Sequence, residues 1–363
     1  MYNRPTYLDI NLDALKHNYD YLKSLSNKEV FAVVKANAYG HGMIGISKFF
    51  DTLNCAYLCV SSLDEALRLR KKGVVSPILV LGYTQLSQKV LNTVSKMNIS
   101  LSIISMEWFL ELMSYNTSSL TINYHIEIDT GMNRLGFKDA NEVSNLLKLS
   151  MENNIYLEGI YTHFHSSDKD DNSTQVQFEK FKSLLETLDY DFKWIHTSNS
   201  DAILNFEDSI SNAIRPGLAL YGYSSSETKL IPIMHFFSQI TQKKLIHKGE
   251  TVSYGATFTA DEDMWIGIVP VGYADGLPLG LSNNYNVYVE NISCPVIGRI
   301  CMDQLMIKIP NEIASNIVTI SGLISNFETM AKITDTITYE ILTCLNIRIH
   351  RIFRLNKEIF IEE

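Results

Sequence analysis

The sequence has few of the features that mark secreted, metal-binding or membrane-spanning proteins. Its 363 residues include only five cysteines, with no Cys-x-x-Cys pair and no zinc-like spacing to histidine. A small, odd number of scattered cysteines is typical of a reducing compartment. No uninterrupted apolar run approaches the roughly 18 residues of a membrane span, and the N-terminal segment lacks the apolar core of a signal peptide. These absences predict a cytoplasmic protein without a membrane span or a metal site.

Basic residues are also fewer than acidic residues. Lysine and arginine total 31 against 40 aspartates and glutamates, so the formal net charge is −9. This balance argues against nucleic acid or an anionic membrane as a partner, although small anions respond to local charge. The composition, 46% hydrophobic and 20% charged, is sufficient for a packed core. The chain length favours two domains.

Short apolar runs alternate with helical segments from residue 30 to about residue 223. Eight runs have strand character, namely 30–36, 56–62, 77–83, 99–105, 122–129, 155–164, 192–198 and 213–223. Most segments between them carry apolar residues at i, i+3, i+4 spacing, whereas 201–211 is shorter and weaker. This alternation predicts parallel βα units, and eight of them favour a closed (β/α)₈ barrel. An open doubly wound sheet is the alternative, because the strand count alone does not separate the two.

The pattern changes after about residue 230. Short alternating runs at 265–273, 286–298 and 303–309, with glycine and proline between them, predict a mainly β domain. We therefore divide the chain into a barrel domain over 1–232 and a β domain over 233–363. The first ten or so residues precede the first barrel strand and are expected to pair with the β domain.

Chemically active side chains gather at the predicted carboxyl ends of the barrel strands, where barrel enzymes carry their active sites. Lys35 ends the first strand, and a desolvated lysine is suited to Schiff-base chemistry. The loops after strands seven and eight, which often bind phosphate, contain Ser200 and Gly217–Leu218. An amine and a phosphate site on one face are what pyridoxal 5′-phosphate (PLP) requires. Other polar residues at these ends are Glu127, Asp129, Arg134, His163, His196 and Arg215.

A second motif points to another cofactor. Residues 40–45 read GHGMIG and match the dinucleotide-binding pattern G-x-G-x-x-G, with Asp64 at a suitable distance for a ribose contact. The glycines do not follow a strand directly, because residues 36–39 intervene. A dinucleotide site would also leave Lys35 without a role. The PLP interpretation is therefore favoured. His196 could equally be a strand histidine with a structural hydrogen bond.

Several segments resemble motifs of the alanine racemase family. VVKANAYGHG (33–42) resembles its PLP-lysine signature, and DTGMNRLGF (129–137), THF (162–164), HTSNS (196–200), RPGLALYG (215–222), VSYGATF (252–258), GYADG (272–276) and GRICMDQ (298–304) follow in the family's order. The resemblance runs from about residue 5 to the C-terminus. It implies a homodimer with shared active sites, which interconverts L- and D-alanine on PLP and supplies D-alanine for peptidoglycan.

The resemblance also implies residue roles. Lys35 corresponds to the Schiff-base lysine, which substrate displaces to form an external aldimine, and Tyr254 of the partner chain to a second base on the opposite face. His163 and Arg215 correspond to residues beside that tyrosine and the pyridine nitrogen. Arg134 would contact the cofactor and the substrate carboxylate, together with Met302 of the partner chain. The implied phosphate binders are Tyr39, Ser200, Gly217, Leu218 and Tyr339, and the implied entrance residues are Asp168, Tyr273 and Arg299.

Glu127 departs from the family pattern. Many relatives have a lysine here that reacts with CO₂ to an anionic carbamate and orients the arginine at the position of Arg134. A glutamate would supply that charge permanently and could accept a charge-assisted hydrogen bond from Arg134. The alternative is that Glu127 pairs elsewhere.

Other activities remain possible within this architecture. A serine or broad-spectrum racemase would share the same site. A PLP-barrel decarboxylase would have an acidic partner for the pyridine nitrogen, where this chain has Arg215. A non-enzymatic PLP carrier would be a single barrel, so the predicted β domain argues against it.

Overall fold

A closed parallel barrel is built from residues 29–214. The computed structural model describes residues 3–117, 119–169, 171–226, 228–324 and 326–362. Each barrel strand pairs with the next in chain order, and the last pairs with the first. The strands are Glu29–Val33, Tyr57–Val60, Ile78–Val80, Ile99–Ile103, Tyr124–Ile128, Leu157–Thr162, Trp194–His196 and Ala213–Ile214. The closure confirms the predicted (β/α)₈ barrel and excludes the open doubly wound sheet.

Helices connect successive strands, as the apolar spacing predicts. Three of them begin at a serine, Ser62, Ser87 or Ser105, whose side chain accepts a hydrogen bond from the backbone N–H three residues on. Such caps satisfy an amide that the helix itself leaves without a partner. The helices that precede or connect the barrel strands are Leu12–Ser26, Met43–Thr52, Leu63–Lys71, Gln88–Lys96, Met106–Met113, Ala140–Glu152, Ser173–Glu186 and Ser200–Asn205.

The last part of the barrel departs from the predicted pattern. The run 213–223 contains only a two-residue strand, Ala213–Ile214, followed by a 3₁₀ turn at Leu218–Tyr221. Pro216 has no N–H to donate to a neighbouring strand, so the ladder cannot continue through it. The Tyr221 hydroxyl donates to the Val33 carbonyl at 2.8 Å and attaches the turn to the first strand. The weak segment 201–211 is helical only as far as Asn205.

The second compact unit comprises residues up to Asp13, Tyr39–Gly45 and the chain from Ile233 onward. Its main sheet has seven strands, and the N-terminal strand Tyr7–Asn11 lies within it, antiparallel to Met234–Gln239 and parallel to His350–Leu355. The strands in sheet order are Ile292–Pro295, Asn286–Val289, Ile317–Ser321, Met234–Gln239, Tyr7–Asn11, His350–Leu355 and Glu358–Glu362.

Smaller elements complete this mainly β unit, whose predicted character is confirmed. A three-stranded sheet is formed by Gln242–Ile246, Met264–Val269 and Leu305–Ile309, and a two-stranded one by Thr251–Val252 and Phe258–Thr259. Two helices, Phe327–Ile333 and Thr338–Cys344, precede the strand His350–Leu355. Within the described ranges, no helix combines the length and apolarity needed to cross a bilayer.

The glycines of GHGMIG serve close packing within this second unit. Gly40 has φ +80°, and a Cβ there would lie 2.0 Å from the carbonyl oxygen of Leu342. A Cβ on Gly45 would lie 2.5 Å from the ring of Phe353. Both positions therefore exclude any side chain. The motif is explained by backbone approach to the C-terminal segment, without a dinucleotide.

A buried carboxylate ties the N-terminal segment to the β domain. Asp275 is fully buried and accepts hydrogen bonds from Arg4 at 2.6 Å, from Arg348 at 2.7 Å and from the backbone of Gly272 at 2.9 Å. Burial alone would raise the pKa of Asp275, but these donors hold it below its ordinary value. The ion pairs join residues far apart in sequence, so they stabilise the tertiary fold of the second unit.

We expect Asp275→Asn to destabilise the protein by about 3–5 kcal/mol, because it leaves two arginines without their buried counter-charge. Asp303→Asn is the matched control, since Asp303 pairs with the same Arg348 but is exposed, and it should cost at most about 1 kcal/mol. The measurement is the free energy of unfolding in urea.

The folded-state pKa of Asp275 lies below its unfolded value. Its contribution is therefore complete above about pH 4 and is lost as the pH falls through the folded-state pKa. Equal losses for the two variants would contradict this account.

Candidate active site

Lys35 lies just beyond the carboxyl end of the first barrel strand and begins an unusual turn. Ala36, Asn37, Ala38 and Tyr39 have φ values of 51°, 56°, 53° and 51°, so four successive non-glycine residues lie in the left-handed region. Each such residue costs roughly 1–2 kcal/mol. The Glu65 carboxylate compensates in part, because it accepts the N–H of Ala36 at 2.8 Å. The turn directs the chain away from the strand immediately after Lys35.

The electrostatic surroundings of Lys35 favour its neutral amine. Burial lowers the pKa of Lys35, and the nearby cations Arg134 and Arg215 lower it further, against the opposing charge of Glu65. A lysine with a lowered pKa is a better nucleophile and a better proton acceptor at neutral pH. The reactive-amine role of Lys35 stays a prediction from its position in the sequence, and this lowered pKa supports it.

Arg215 follows the eighth strand and is almost completely buried, at 3% exposure. One terminal nitrogen donates to Nδ1 of His196 at 2.8 Å and to the His196 carbonyl. The other donates to the carbonyls of Thr162, at 2.5 Å, and Thr197, at 3.0 Å. These contacts use all four terminal N–H groups. Among the described residues no acceptor faces the Nε–H, so one donor of a rigid, buried guanidinium is left for a ligand.

His163 follows the sixth strand, and its surroundings favour the neutral imidazole. Burial lowers its pKa well below the ordinary range, and the cations Arg215, Arg134 and Lys35 reinforce the effect. These four side chains, which the sequence places after four different strands, therefore act on one another electrostatically. A neutral imidazole can donate and accept hydrogen bonds at once without adding positive charge to the site.

Ser200 organises the backbone after the seventh and eighth strands. Its hydroxyl accepts the N–H groups of Gly217, at 2.9 Å, and Ala219, at 3.1 Å. Asn199 caps the short helix that begins at Ser200 by accepting the N–H of Ala202. Within the described ranges, the N–H groups of Ser200 and Leu218 donate to no protein acceptor. Two free amide donors beside a hydroxyl form a site for an anion, in the loops that the sequence predicts for phosphate.

The loop after the fifth strand carries Arg134. Asp129 shapes it by accepting the backbone N–H groups of Gly131, at 3.0 Å, and Asn133, at 2.9 Å. Arg134 itself is exposed, and its guanidinium makes no hydrogen bond to the described part of the chain. Asp168, the predicted entrance residue of this unit, lies exposed in the loop after the sixth strand.

Glu127 pairs with a residue other than the one predicted. Its carboxylate is buried and accepts a hydrogen bond from the Tyr161 hydroxyl at 3.0 Å, whereas no hydrogen bond joins it to Arg134 in the described structure. Burial raises the pKa of Glu127, which the Tyr161 hydroxyl and the charge of Arg134 oppose. This geometry agrees with the alternative considered from the sequence, in which Glu127 pairs with a residue other than Arg134. Its influence on Arg134 is through charge rather than contact.

The remaining predicted residues lie in the second unit, in two groups. Tyr39 and Tyr339 contact each other, with ring centroids 5.8 Å apart. The other group is Tyr254, Tyr273, Arg299 and Met302, whose segments are joined by hydrogen bonds to backbone carbonyls. The Ser253 hydroxyl donates to the Arg299 carbonyl, and the N–H groups of Tyr273 and Ala274 donate to the carbonyls of Cys301 and Met302. The side chains of Tyr254, Tyr273 and Met302 are 70%, 42% and 53% exposed.

A strained loop presents Tyr254 at the surface. Ser253 and Gly255 on either side have φ values of 69° and 74°, in the left-handed region. Only glycine adopts that geometry without cost. An exposed tyrosine held on a strained backbone is unusual in a structural role.

Sequence reasoning missed a set of buried polar residues inside the barrel. His196 accepts from Arg215, as described, and its Nε2 lies 2.8 Å from Nδ1 of His125. His125 in turn faces Glu158, which contacts Tyr57 and Lys193. The only signal in the sequence was the presence of polar residues within otherwise apolar strands.

The closed barrel carries a lysine of lowered pKa just beyond its first strand and a buried arginine after its eighth, and a mainly β domain follows it. Comparison with known proteins identifies the class more closely. Residues 10–225 match the model for the N-terminal domain of alanine racemase, and residues 233–353 match that for the C-terminal domain.

Relatives match over nearly the whole chain. The alanine racemase of Lactobacillus acidophilus is 39% identical, over 97% of this chain and 98% of its own. The crystal structure of the Bacillus anthracis alanine racemase with bound L-Ala-P superimposes with a TM-score of 0.92 at 34% identity, covering 100% of this chain and 98% of that one. The Bartonella henselae alanine racemase with covalently bound pyridoxal phosphate gives 0.86 at 27% identity, over 96% and 99%.

The chain belongs to the alanine racemase family, and it is accordingly an isomerase. The family is PLP-dependent. The resemblance seen in the motifs is therefore confirmed over the full length.

We expect Ser200→Ala to loosen the loop after the eighth strand, because two buried amides lose their acceptor. The cost should be about 1–3 kcal/mol. Hydrogen exchange of the segment 215–222, measured by mass spectrometry, should accelerate. Ser225→Ala is the control, since Ser225 is exposed and bonds only to Asp201, and it should leave that exchange unchanged. Unaltered exchange in Ser200→Ala would show that the hydroxyl does not organise the loop.

Proposed function

We propose that this protein interconverts L- and D-alanine with PLP held at Lys35, and that it supplies D-alanine for peptidoglycan. The observation that carries the proposal is a partly buried lysine just beyond the carboxyl end of the first barrel strand, where burial and the charges of Arg134 and Arg215 lower its pKa. The full-length similarity to alanine racemases supports the choice of substrate.

The unpaired groups of the barrel suit PLP. Lys35 would bind the aldehyde covalently through Nζ. The hydroxyl and N–H of Ser200 and the N–H of Leu218 would hold the phosphate, beside Gly217. The Nε–H of Arg215 would donate to the pyridine nitrogen, which then stays unprotonated beside a fixed cation. When bound, PLP withdraws electrons from the α-carbon of an attached amino acid and so acidifies its Cα–H bond.

Racemisation needs a proton acceptor on each face of the α-carbon. Lys35 Nζ, once released from the cofactor, would exchange the proton on one face, because its lowered pKa favours the neutral form. Tyr254 of a second copy of the chain would serve the other face. Its high exposure in the single chain fits a residue that completes the site of a partner.

Neighbouring groups would support these two bases. A phenol accepts a proton well only as its anion, so the site would need groups that stabilise a phenolate. The neutral His163 could donate a hydrogen bond to it, with Arg215 contributing positive charge. Arg134, with Met302 of the second copy, would bind the substrate carboxylate. Asp168, Tyr273 and Arg299 would line the entrance.

Borohydride reduction of the purified, PLP-containing protein should attach the cofactor irreversibly to Lys35. Peptide mapping by mass spectrometry locates the label. We expect it on the peptide that contains Lys35, and its loss together with alanine racemisation in Lys35→Ala. A label on another lysine would refute the assignment.

Tyr254→Phe should slow proton removal from one enantiomer more than from the other, because it deletes the base on a single face. The family resemblance assigns that face to L-alanine. A general acid–base group contributes about 10²–10⁴-fold, so the loss should be of that order. Deuterium incorporation from D₂O into each enantiomer measures it. Tyr156→Phe, an exposed tyrosine of the barrel, is the control. Equal losses for both enantiomers would contradict the two-base arrangement.

A further inference from the structure

The interior of the barrel contains a continuous line of polar side chains that leads from Arg215 to its opposite end. Arg215 lies after the eighth strand, His196 ends the seventh, and His125 belongs to the fifth. Glu158 is near the beginning of the sixth strand, and Lys193 immediately precedes the seventh. The line therefore runs from the carboxyl ends of the strands, where the candidate site lies, to their amino ends.

The hydrogen bonds of this line are short, whereas the contact between His125 and Glu158 is longer. Arg215 donates to Nδ1 of His196 at 2.8 Å, and Nε2 of His196 lies 2.8 Å from Nδ1 of His125. Nε2 of His125 lies 3.4 Å from a carboxylate oxygen of Glu158. Among the described residues this nitrogen has no hydrogen-bond partner, so its contact with Glu158 is electrostatic. Both histidines are fully buried, so their ring nitrogens cannot turn to water.

Only one arrangement of protons satisfies these contacts. A guanidinium can only donate, so Nδ1 of His196 must accept, and the proton of this neutral ring is on Nε2. That proton points to Nδ1 of His125, which must accept in turn and carry its own proton on Nε2. The His125 Nε2–H then faces Glu158. Every donor along the line points away from Arg215, and the last acceptor is a carboxylate.

The surroundings of Glu158 keep it an acceptor. Lys193 donates to one of its oxygens at 2.8 Å and the Tyr57 hydroxyl to the other at 2.5 Å. Burial alone would raise the pKa of Glu158, but its contacts with His125, Lys193 and Tyr57 lower it to about 2. Burial lowers the pKa of both histidines, so they are neutral near pH 7.

We infer that Glu158 is a positioning residue for Arg215, acting through His125 and His196. Its negative charge selects the Nε2–H tautomer of His125, which selects the same tautomer of His196 and leaves Nδ1 free to hold the guanidinium. The role rests on the proposed function, in which the Nε–H of Arg215 faces the pyridine nitrogen. Glu158 lies at the opposite end of the line from the candidate site, so the residue should influence the chemical step rather than substrate binding.

Glu158→Gln tests this assignment, because an amide can donate as well as accept. A donating amide would allow the reversed tautomer of His125, whose Nδ1–H would confront the Nε2–H of His196 and weaken the support of Arg215. Glu29→Gln is the matched control. Glu29 also lies at the amino end of a barrel strand and pairs with a lysine, Lys23, but it is outside the line.

The first measurement is ¹⁵N NMR of histidine side chains in protein labelled with ¹⁵N-histidine, at pH 7. In the unaltered chain and in Glu29→Gln, both buried histidines should be neutral with the proton on Nε2. Glu158→Gln should show a second tautomer or a mixture. A proton on Nδ1 of either histidine in the unaltered chain would overturn the inference, and this result does not depend on whether the variant folds.

The second measurement is alanine racemisation by the PLP-containing protein. Glu158→Gln should lower kcat about 10-fold or more, equivalent to at least roughly 1.4 kcal/mol, with KM for alanine unchanged. Normal kcat with altered tautomers would show that the line does not act on Arg215 during the reaction. If the unaltered protein did not racemise alanine, the proposed function would fail, while the NMR result would still decide the tautomers.

Discussion

A guanidinium buried inside a barrel must have its N–H groups matched by acceptors, and much of this structure follows from that requirement. Arg215 is held by two backbone carbonyls on neighbouring strands and by both the ring and the carbonyl of His196. Leaving a buried charged donor without a partner costs more than an ordinary hydrogen bond contributes. The register of the sixth, seventh and eighth strands is thus coupled to the position of this one side chain. Its remaining N–H has no acceptor among the described residues.

The cations of the site shape the protonation of their neighbours. Burial, reinforced by the charges of Arg134 and Arg215, lowers the pKa of Lys35 and of His163, so the neutral forms of this amine and this imidazole are favoured. Positive charge is therefore concentrated on the two arginines, which cannot release protons. The neutral amine and imidazole are able to accept a proton. This division of roles suits chemistry in which a proton is removed and returned while an anionic substrate is retained.

Much of the architecture was accessible from the sequence, because alternating apolar runs and amphipathic segments report burial directly. All eight barrel strands and the mainly β domain were predicted. Lys35, Ser200 and Arg215 were named as candidate site residues from their places at strand ends. The predicted eighth strand was too long, since Pro216 interrupts the ladder. Glu127 bonds to Tyr161 because the two strands adjoin, a proximity that no spacing along the chain reveals. His125 and Glu158 escaped notice, since a polar residue in an apolar run has no meaning until its cross-barrel partner is known.

The sequence by itself determined the order of strands and helices, the change to a β domain after residue 230 and the family motifs, because these depend on local periodicity and residue identity. Only the tertiary structure decided which buried polar groups meet, how their protons are distributed and which N–H groups remain free. Hydrogen bonds such as that between His125 and His196 join residues 71 positions apart. Their formation depends on barrel closure, which brings distant strands to within a few ångströms and excludes the water that would otherwise satisfy them.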